Sequence, residues 1–335
     1  MSQSLELRTE ALQVIVAPAE GGRITSVISL DSGLEFLLQP HRPFWPLQPA
    51  RHNIFLQGAC AGIEECLPTV SACNLNGEQI PDHGDFWQMP WEILSVPTKT
   101  TLSLCAEGFS RPLRFRKDIS LHDSSLSIAY CIKNIGEQAT DFLYATHPLL
   151  AIDSDSWIVL PQEVSNLTLH SSLHDRLGAP GENVRWPAAN PYSQRLDHLA
   201  HSIEKTADML YTGRLNHGWC GLYRTLHRQG LVMRFDTSKL PYIGLWICQG
   251  GWPENENTPK QYAFAPEPTT APCGSLRQAR EKDLATPLMP GESFRFTIEF
   301  HLSRAGITRE EFIRFASKHP TASTAPLISQ QSGEL

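Results

Sequence analysis

The stretch Ser293-Phe294-Arg295-Phe296-Thr297-Ile298-Glu299-Phe300-His301-Leu302 puts an apolar side chain at every second position. Successive side chains of a β-strand point to opposite faces, so this period of two describes a strand with one buried face and one face in water. Working back along the chain, the same alternation recurs at Leu126/Ile128/Tyr130/Ile132 and at Leu12/Val14/Val16. Between such runs stand turn signals: Glu20-Gly21-Gly22, Asp31-Ser32-Gly33, Asn134-Ile135-Gly136 and Pro290-Gly291-Glu292. These residues supply the positive φ values and preset φ angles that chain reversals need. The chain also holds 25 prolines, each of which removes a backbone donor and blocks the preceding helical turn, which argues against long helices. The expected fold class is all-β, a large antiparallel β-sandwich with few short helices.

One helix is predicted, at the capping-box sequence Thr308-Arg309-Glu310-Glu311 followed by Phe312 and Phe315 on one face. It reads as a C-terminal edge element. Residues 320–335 are polar and aperiodic and read as a loose tail, leaving 1–319 as a single domain. The segment from Pro161 to Leu196 reads as irregular, a candidate rim or lid. With 28 basic and 35 acidic residues the formal charge is −7, which offers nothing to attract nucleic acid. No run approaches the ~18 apolar residues of a membrane span, and MSQSLELRTE lacks the form of a secretory signal. A soluble cytoplasmic protein with a small or neutral partner is expected. The eight cysteines show no C-x-x-C spacing, and the trio Cys60, Cys66, Cys73 matches no common zinc pattern, so they read as reduced core thiols. Asn166-Leu167-Thr168 has the form of a glycosylation acceptor, which carries no meaning in a chain that is not secreted.

Four stretches concentrate polar groups beside glycine, proline or tryptophan. They are Gly62-Ile63-Glu64-Glu65-Cys66-Leu67-Pro68-Thr69, Pro81-Asp82-His83-Gly84-Asp85-Phe86-Trp87-Gln88-Met89-Pro90-Trp91, Tyr144-Ala145-Thr146-His147-Pro148-Leu149-Leu150 and Phe264-Ala265-Pro266-Glu267-Pro268-Thr269-Thr270-Ala271. Glu267, between two prolines and just after Tyr262-Ala263-Phe264, is not placed for full solvation, and burying a carboxylate without a partner is costly. His147 ends an apolar run before a proline, a setting that suits a core histidine as well as a functional one. His83 lies between Asp82 and Asp85, where a polar turn is the competing explanation.

Taken in order, Gly21-Gly22-Arg23-Ile24 with Leu34-Glu35-Phe36-Leu37, then His83-Gly84, His147 and Glu267-Pro268-Thr269 resemble the aldose 1-epimerase (galactose mutarotase) family over about residues 10–305. The resemblance implies a twisted sandwich with an open sugar cleft on a concave face, where the α and β anomers of a free sugar interconvert. It implies Glu267 as the base at the anomeric hydroxyl, His147 as the acid at the ring oxygen and His83 as a contact near that oxygen. It also implies Arg51 and Asp197 as sugar-binding residues, with no metal and no organic cofactor. A surface salt bridge explains Arg51 equally well. Trp87, Trp91 and Trp246 offer flat platforms for a pyranose face, although tryptophan is more often a core residue. The family's Asn-His-x-x-Phe/Tyr signature is replaced here by Thr146-His147-Pro148-Leu149, and its glycine-rich approach to His-Gly by Pro81-Asp82-His83, which marks a divergent branch. Glu64-Glu65 adds acidic charge that disfavours a phosphorylated sugar.

Two other classes fit the same residues. A sugar-binding protein without turnover keeps the cleft and loses the acid–base geometry. A hydrolase or lyase on a related sandwich ordinarily needs two carboxylates flanking the scissile bond, and beside Glu267 only Asp82, Asp85 and Glu64 are available as the second. The oligomeric state is not encoded in any recognisable pattern.

Overall fold

The strand Ser293–Leu302 lies near the middle of a nine-stranded antiparallel sheet, paired with Ser125–Asn134 on one side and Gln229–Phe235 on the other. Its alternation is realised as expected: Phe296, Ile298, Phe300 and Leu302 are buried. The computed structural model describes residues 4–41, 47–188, 195–199, 205–255 and 257–318. The nine strands run in the spatial order His198–Leu199, Ser156–Val159, Trp219–Arg224, Gln229–Phe235, Ser293–Leu302, Ser125–Asn134, Leu113–His122, Thr101–Glu107, Glu92–Ile93. A second sheet has ten: Leu5–Arg8, Leu12–Ala17, Arg23–Ser29, Gly62–Cys66, Ala145–Ala151, Tyr262–Thr269, Tyr242–Gln249, Thr206–Thr212, Asn166–Ser172, Asn183–Arg185. One contiguous apolar cluster with members from Leu7 to Leu302 fills the space between them. The fold is therefore the all-β antiparallel sandwich that the alternation predicts.

The middle of the ten-stranded sheet is covered on both faces, so Gly62–Cys66, Thr206–Thr212 and nearly all of Ala145–Ala151 and Tyr262–Thr269 are buried at every position. Proline is normally kept out of such central strands because it has no N–H for the ladder. Here three prolines lie inside them. The ladder between Ala145–Ala151 and Tyr262–Thr269 pairs Ala145 with Thr269 and Leu150 with Phe264, with no paired residues between. Carrying that register inward sets Pro148 opposite Pro266, His147 opposite Glu267 and Thr146 opposite Pro268. Two donor-less residues facing each other leave no N–H orphaned, which is how the sheet accommodates them. His147 thus lies within its strand rather than at the strand end expected from Pro148.

The inward side of the same sheet carries a charged cluster. Glu65 accepts hydrogen bonds from Tyr130 Oη and Tyr144 Oη, both at 2.8 Å, and Lys117 Nζ lies 3.6 Å from its Oε1. Lys117 also sits 4.6 Å from the centre of the Trp91 ring. All of these side chains are buried.

The predicted C-terminal helix spans Arg309–Ser317, with Thr308 and Glu311 forming the reciprocal cap. Its Phe312 packs on the outer face of the nine-stranded sheet, where a Cβ on Gly230 would come within 2.5 Å of the Phe312 ring. A second helix, Leu276–Glu281, capped by Ser275, was not expected: its six residues are too few to show a periodicity. The Pro161–Leu196 segment is less irregular than its composition indicates, because it supplies the last two strands at one end of the ten-stranded sheet, Asn166–Ser172 and the edge strand Asn183–Arg185. The tail at 320–335 lies outside the described residues. All eight cysteines are free thiols, and Cys66, Cys220, Cys248 and Cys273 are buried. No helix among the described residues is long and apolar enough to cross a membrane.

Candidate active site

Cross-strand register lines up a row of residues on the outer face of the ten-stranded sheet. Glu64 pairs with His147, Gly244 with Glu267, and Tyr211 with Gly244. Residues directly opposite in an antiparallel pair share a face, so Glu64, His147, Glu267 and Tyr211 all point the same way. Gly244 interrupts the row and makes the room: a Cβ there would stand 3.0 Å from the Tyr211 ring and 3.3 Å from Glu267 Oε2. His147 Nε2 approaches Glu267 Oε1 to 3.5 Å, with the two residues 6% and 2% exposed. Glu267 Oε2 and His147 Nδ1 are buried without a hydrogen-bond partner among the described residues. At the end of the row Glu64 Oε1 is 3.6 Å from Arg23 Nε, so this carboxyl faces an arginine rather than the cleft. Glu65, one residue on, points to the opposite face, into the charged cluster with Lys117.

His83 comes from a loop rather than the sheet. It has a φ of 56° and is followed by Gly84 at 73°, two successive left-handed residues that turn the chain beside Leu67. The Asp85 amide donates to Leu67 O at 2.8 Å, which draws the turn against that strand end. His83 Nδ1 lies 3.0 Å from Asp82 Oδ1, while Asp82 Oδ2 accepts from the Phe55 amide at 2.9 Å. The imidazole stacks on Phe55 at 4.0 Å and meets the His147 ring edge-on at 5.2 Å. A Cβ on Gly84 would fall 2.0 Å from Leu67 O, backbone against backbone with no flexible side chain to yield. Gly84→Ala is accordingly expected to cost about 1–3 kcal/mol in urea denaturation and to displace His83. An unchanged midpoint would show that the turn relaxes freely.

These groups open onto a cleft of about 210 Å³. Phe55, His83, His147 and Glu267 form one end, and Met209, Tyr211, Trp246 and Gln261 line it further along. Trp246 Nε1 donates to Gln261 Oε1 at 2.7 Å, fixing the indole that faces the cleft. His170, Tyr211 and Trp252 were not singled out in the sequence. His170 falls at a register shift between Leu169 and Ser171, and a bulge of this kind re-aims side chains, so both His170 and Ser171 line the cleft. A one-residue slip leaves no mark in the alternation that would disclose it.

Three residues assigned to sugar binding lie elsewhere. Arg51 donates to Gln79 O at 2.6 Å and to Glu78 Oε1 at 2.9 Å, so its charge is spent on a neighbouring hairpin. Asp197 is held by Arg195, with Nε to Oδ1 at 2.8 Å and Nη2 to Oδ2 at 2.7 Å, beside the edge strand of the other sheet. Trp87 is fully buried, donates to Asp82 O at 2.8 Å and meets Phe55 edge-on, supporting the cleft wall from behind. Trp91 is likewise buried, donating to Phe86 O. His83, His147, Glu267 and Trp246 are the designated residues that meet at the cleft.

Burial sets the protonation of the site. It pushes the Glu267 carboxyl up to about 8. It also drives His147 well below the usual histidine range, helped by the charge of His83 and opposed by Asp82. Asp82 itself is held low: burial acts to raise it but is outweighed by His83 and by the amides of Phe55 and Ala72. Burial lifts Glu64 to about 7 against the pull of Arg23 and Lys117. Near neutral pH the His147–Glu267 contact therefore joins a neutral imidazole to a protonated carboxyl, two groups that together hold one proton.

No protein-family model matches the sequence, and no curated protein matches it. Solved structures do. The Slr1438 protein of Synechocystis sp. PCC 6803 superposes with a TM-score of 0.67 at 15% identity, over 91% of this chain and 96% of that one. A galactose mutarotase related enzyme from Lactobacillus acidophilus gives 0.65 at 15% identity, over 92% and 100%. A galactose mutarotase-like protein from Lactobacillus casei ATCC 334 gives 0.63 at 14% identity, over 90% and 100%. The chain has the galactose mutarotase-like fold. Its low identity to all three makes it a divergent example of that fold.

Proposed function

We propose that this protein is a carbohydrate isomerase that interconverts the α and β anomers of a free aldose, with Glu267 and His147 as the proton-transfer pair. The observation that carries this reading is the 3.5 Å approach of a buried carboxyl and a buried imidazole at the end of an open cleft, where burial favours the protonated carboxyl and the neutral imidazole. Ring opening removes a proton from the anomeric hydroxyl, forms the C1 carbonyl, breaks the bond from C1 to the ring oxygen and delivers a proton to that oxygen. One base and one acid are needed together. Glu267 takes the first proton and His147 gives the second, so opening starts from carboxylate and imidazolium and ends at carboxylic acid and neutral imidazole. That end state is the resting distribution of the empty cleft. Hydroxyl groups of a bound cyclic sugar donating to Glu267 favour its charged form and draw the proton across to His147. Rotation about C1–C2 followed by the reverse transfers closes the ring on its other face. His83, held by Asp82 and Phe55, stands beside His147 to contact the sugar.

Polarimetry of freshly dissolved pure anomers from a broad monosaccharide panel tests this reading; it fails if the protein speeds equilibration of none of them. Sugar binding without any acceleration would instead identify a binding protein. The pH profile follows from the proton on Glu267. Above about 8 Glu267 loses it and the pair has no acid, so kcat/KM falls on the alkaline side. On the acid side His147 gains a second proton only well below the usual histidine range, so activity persists at pH values where a solvated histidine would already be charged. A profile with an acid limb centred near 6.5 and no alkaline limb by pH 9 would contradict this assignment.

A further inference from the structure

We infer that Asp82 is a positioning residue: it holds His83 in the tautomer with the proton on Nδ1, so that Nε2 meets the sugar as an acceptor and its partner is a hydroxyl rather than the ring oxygen. This rests on reading the cleft as a sugar site. Asp82 stands in Pro81-Asp82-His83, where the resembled family has a glycine-rich approach to His-Gly. Glycine brings no carboxyl, so the arrangement belongs to this chain.

The Asp82 carboxyl is fixed by three donors. Oδ2 accepts from the Phe55 amide at 2.9 Å, the Ala72 amide also donates to the carboxyl, and Oδ1 lies 3.0 Å from His83 Nδ1. The main chain of Asp82 is held as well, because its carbonyl accepts from Trp87 Nε1 at 2.8 Å. A carboxyl that receives two main-chain N–H groups and is kept below its ordinary range is ionised, and an ionised carboxylate has no hydrogen to give. The hydrogen in the Asp82–His83 contact therefore sits on Nδ1. A neutral imidazole carries only one N–H, so Nε2 keeps its lone pair.

The ring is held in plane too. It stacks on Phe55 at 4.0 Å with 8° between the planes, and Phe55 is placed by the same carboxylate through its amide. The edge-on contact with His147 at 5.2 Å closes the other side. His83 lines the cleft, and its Nε2 has no hydrogen-bond partner among the described residues. A ring oxygen bonded to two carbons offers lone pairs only and opposes such a nitrogen, whereas a hydroxyl offers a hydrogen. His83 thus binds a hydroxyl without exchanging a proton, and delivery to the ring oxygen is left to His147.

Long-range proton–nitrogen NMR spectra of the full chain with isotope-labelled histidine test the tautomer without any sugar. They are recorded at about pH 8.5, above the ordinary histidine value of about 6.5, and the His83 signals are identified by their loss in His83→Asn. The expected wild-type spectrum has a protonated Nδ1 and a lone-pair Nε2. Asp82→Asn is expected to invert it, because the carboxamide keeps its oxygen on the Phe55 amide and turns its NH2 group toward Nδ1. A proton on Nε2 in the wild type, alone or together with one on Nδ1, overturns the inference, and so does an Asp82→Asn spectrum with the wild-type tautomer. Should that variant fail to fold, the wild-type spectrum still decides. The hydroxyl contact is read by calorimetry with D-glucose, D-galactose and D-mannose. Asparagine tolerates the φ of 56° at residue 83 and its short amide reaches Asp82 but not the sugar. His83→Asn is expected to leave the urea midpoint unchanged and to weaken binding about tenfold; unchanged affinity overturns the contact. In polarimetry Asp82→Asn is expected to raise KM about tenfold while kcat holds within about threefold, and a loss confined to kcat overturns the role assigned to His83. Spectra as expected with binding of no sugar support the tautomer and overturn the reading of the cleft as a sugar site.

Discussion

Glu267→Gln is expected to slow anomer exchange by about 10²–10⁴-fold while sugar affinity changes by no more than a few-fold. Glutamine keeps the size and hydrogen-bonding reach of the acid but cannot pass a proton. Among the described residues no other carboxyl is placed to substitute, because Glu64 faces Arg23 and Asp82 is engaged by His83 and the Phe55 amide. The same variant has a second signature in stability. With a pKa raised from 4.5 to about 8, the native state holds a proton that the unfolded chain releases. The resulting stabilisation is complete below about pH 4.5 and is lost as pH rises toward 8. Glutamine removes that slope, so the variant gains stability relative to wild type between pH 5 and 8 in thermal or urea melts. A rate within a few-fold of wild type by polarimetry would end the role assigned to Glu267.

Lys117→Met is expected to destabilise the fold by about 3–5 kcal/mol, measured as the shift in urea-unfolding free energy. The substitution nearly preserves volume, so the loss comes from charge and not from a cavity. Glu65 keeps its bonds from Tyr130 and Tyr144 but loses the ammonium that offsets its burial. It must then stay charged without a counterion or take up a proton, and the cost of the second course grows with pH. Lys117→Met paired with Glu65→Gln should recover most of the loss, since replacing both members of a buried ion pair is far less damaging than replacing one. If the single variant is as stable as wild type at pH 8, the cluster does not hold the sheets together.

The fold was legible because its signal is local: Phe294 to Leu302 alternates without exception, and Thr308 to Glu311 spells a cap in four residues. The burial of Glu267 was legible because a carboxylate between prolines in an apolar run is poorly placed for solvation. Arg51, Asp197 and Trp87 were misplaced because nearness in sequence to a polar loop does not say which way a side chain turns. Arg51 turns toward Glu78, Asp197 toward Arg195, and Trp87 inward under Phe55. Tyr211 and His170 were not found for a different reason. Tyr211 enters the site through pairing with Gly244, and His170 through a bulge, and both are properties of register between distant segments that no single stretch displays.

The facing prolines 148 and 266 leave a slit at the centre of the ten-stranded sheet, with five strands on either side, closed at Ala145–Thr269 and again at Leu150–Phe264. Between those stitches the only amide left to bridge the slit is that of Thr146, so the lips can part slightly while stretching at most one main-chain bond. The imidazole rides on one lip and the carboxyl on the other. The spacing of imidazole and carboxyl is therefore held by side-chain packing across this seam rather than by a regular main-chain ladder.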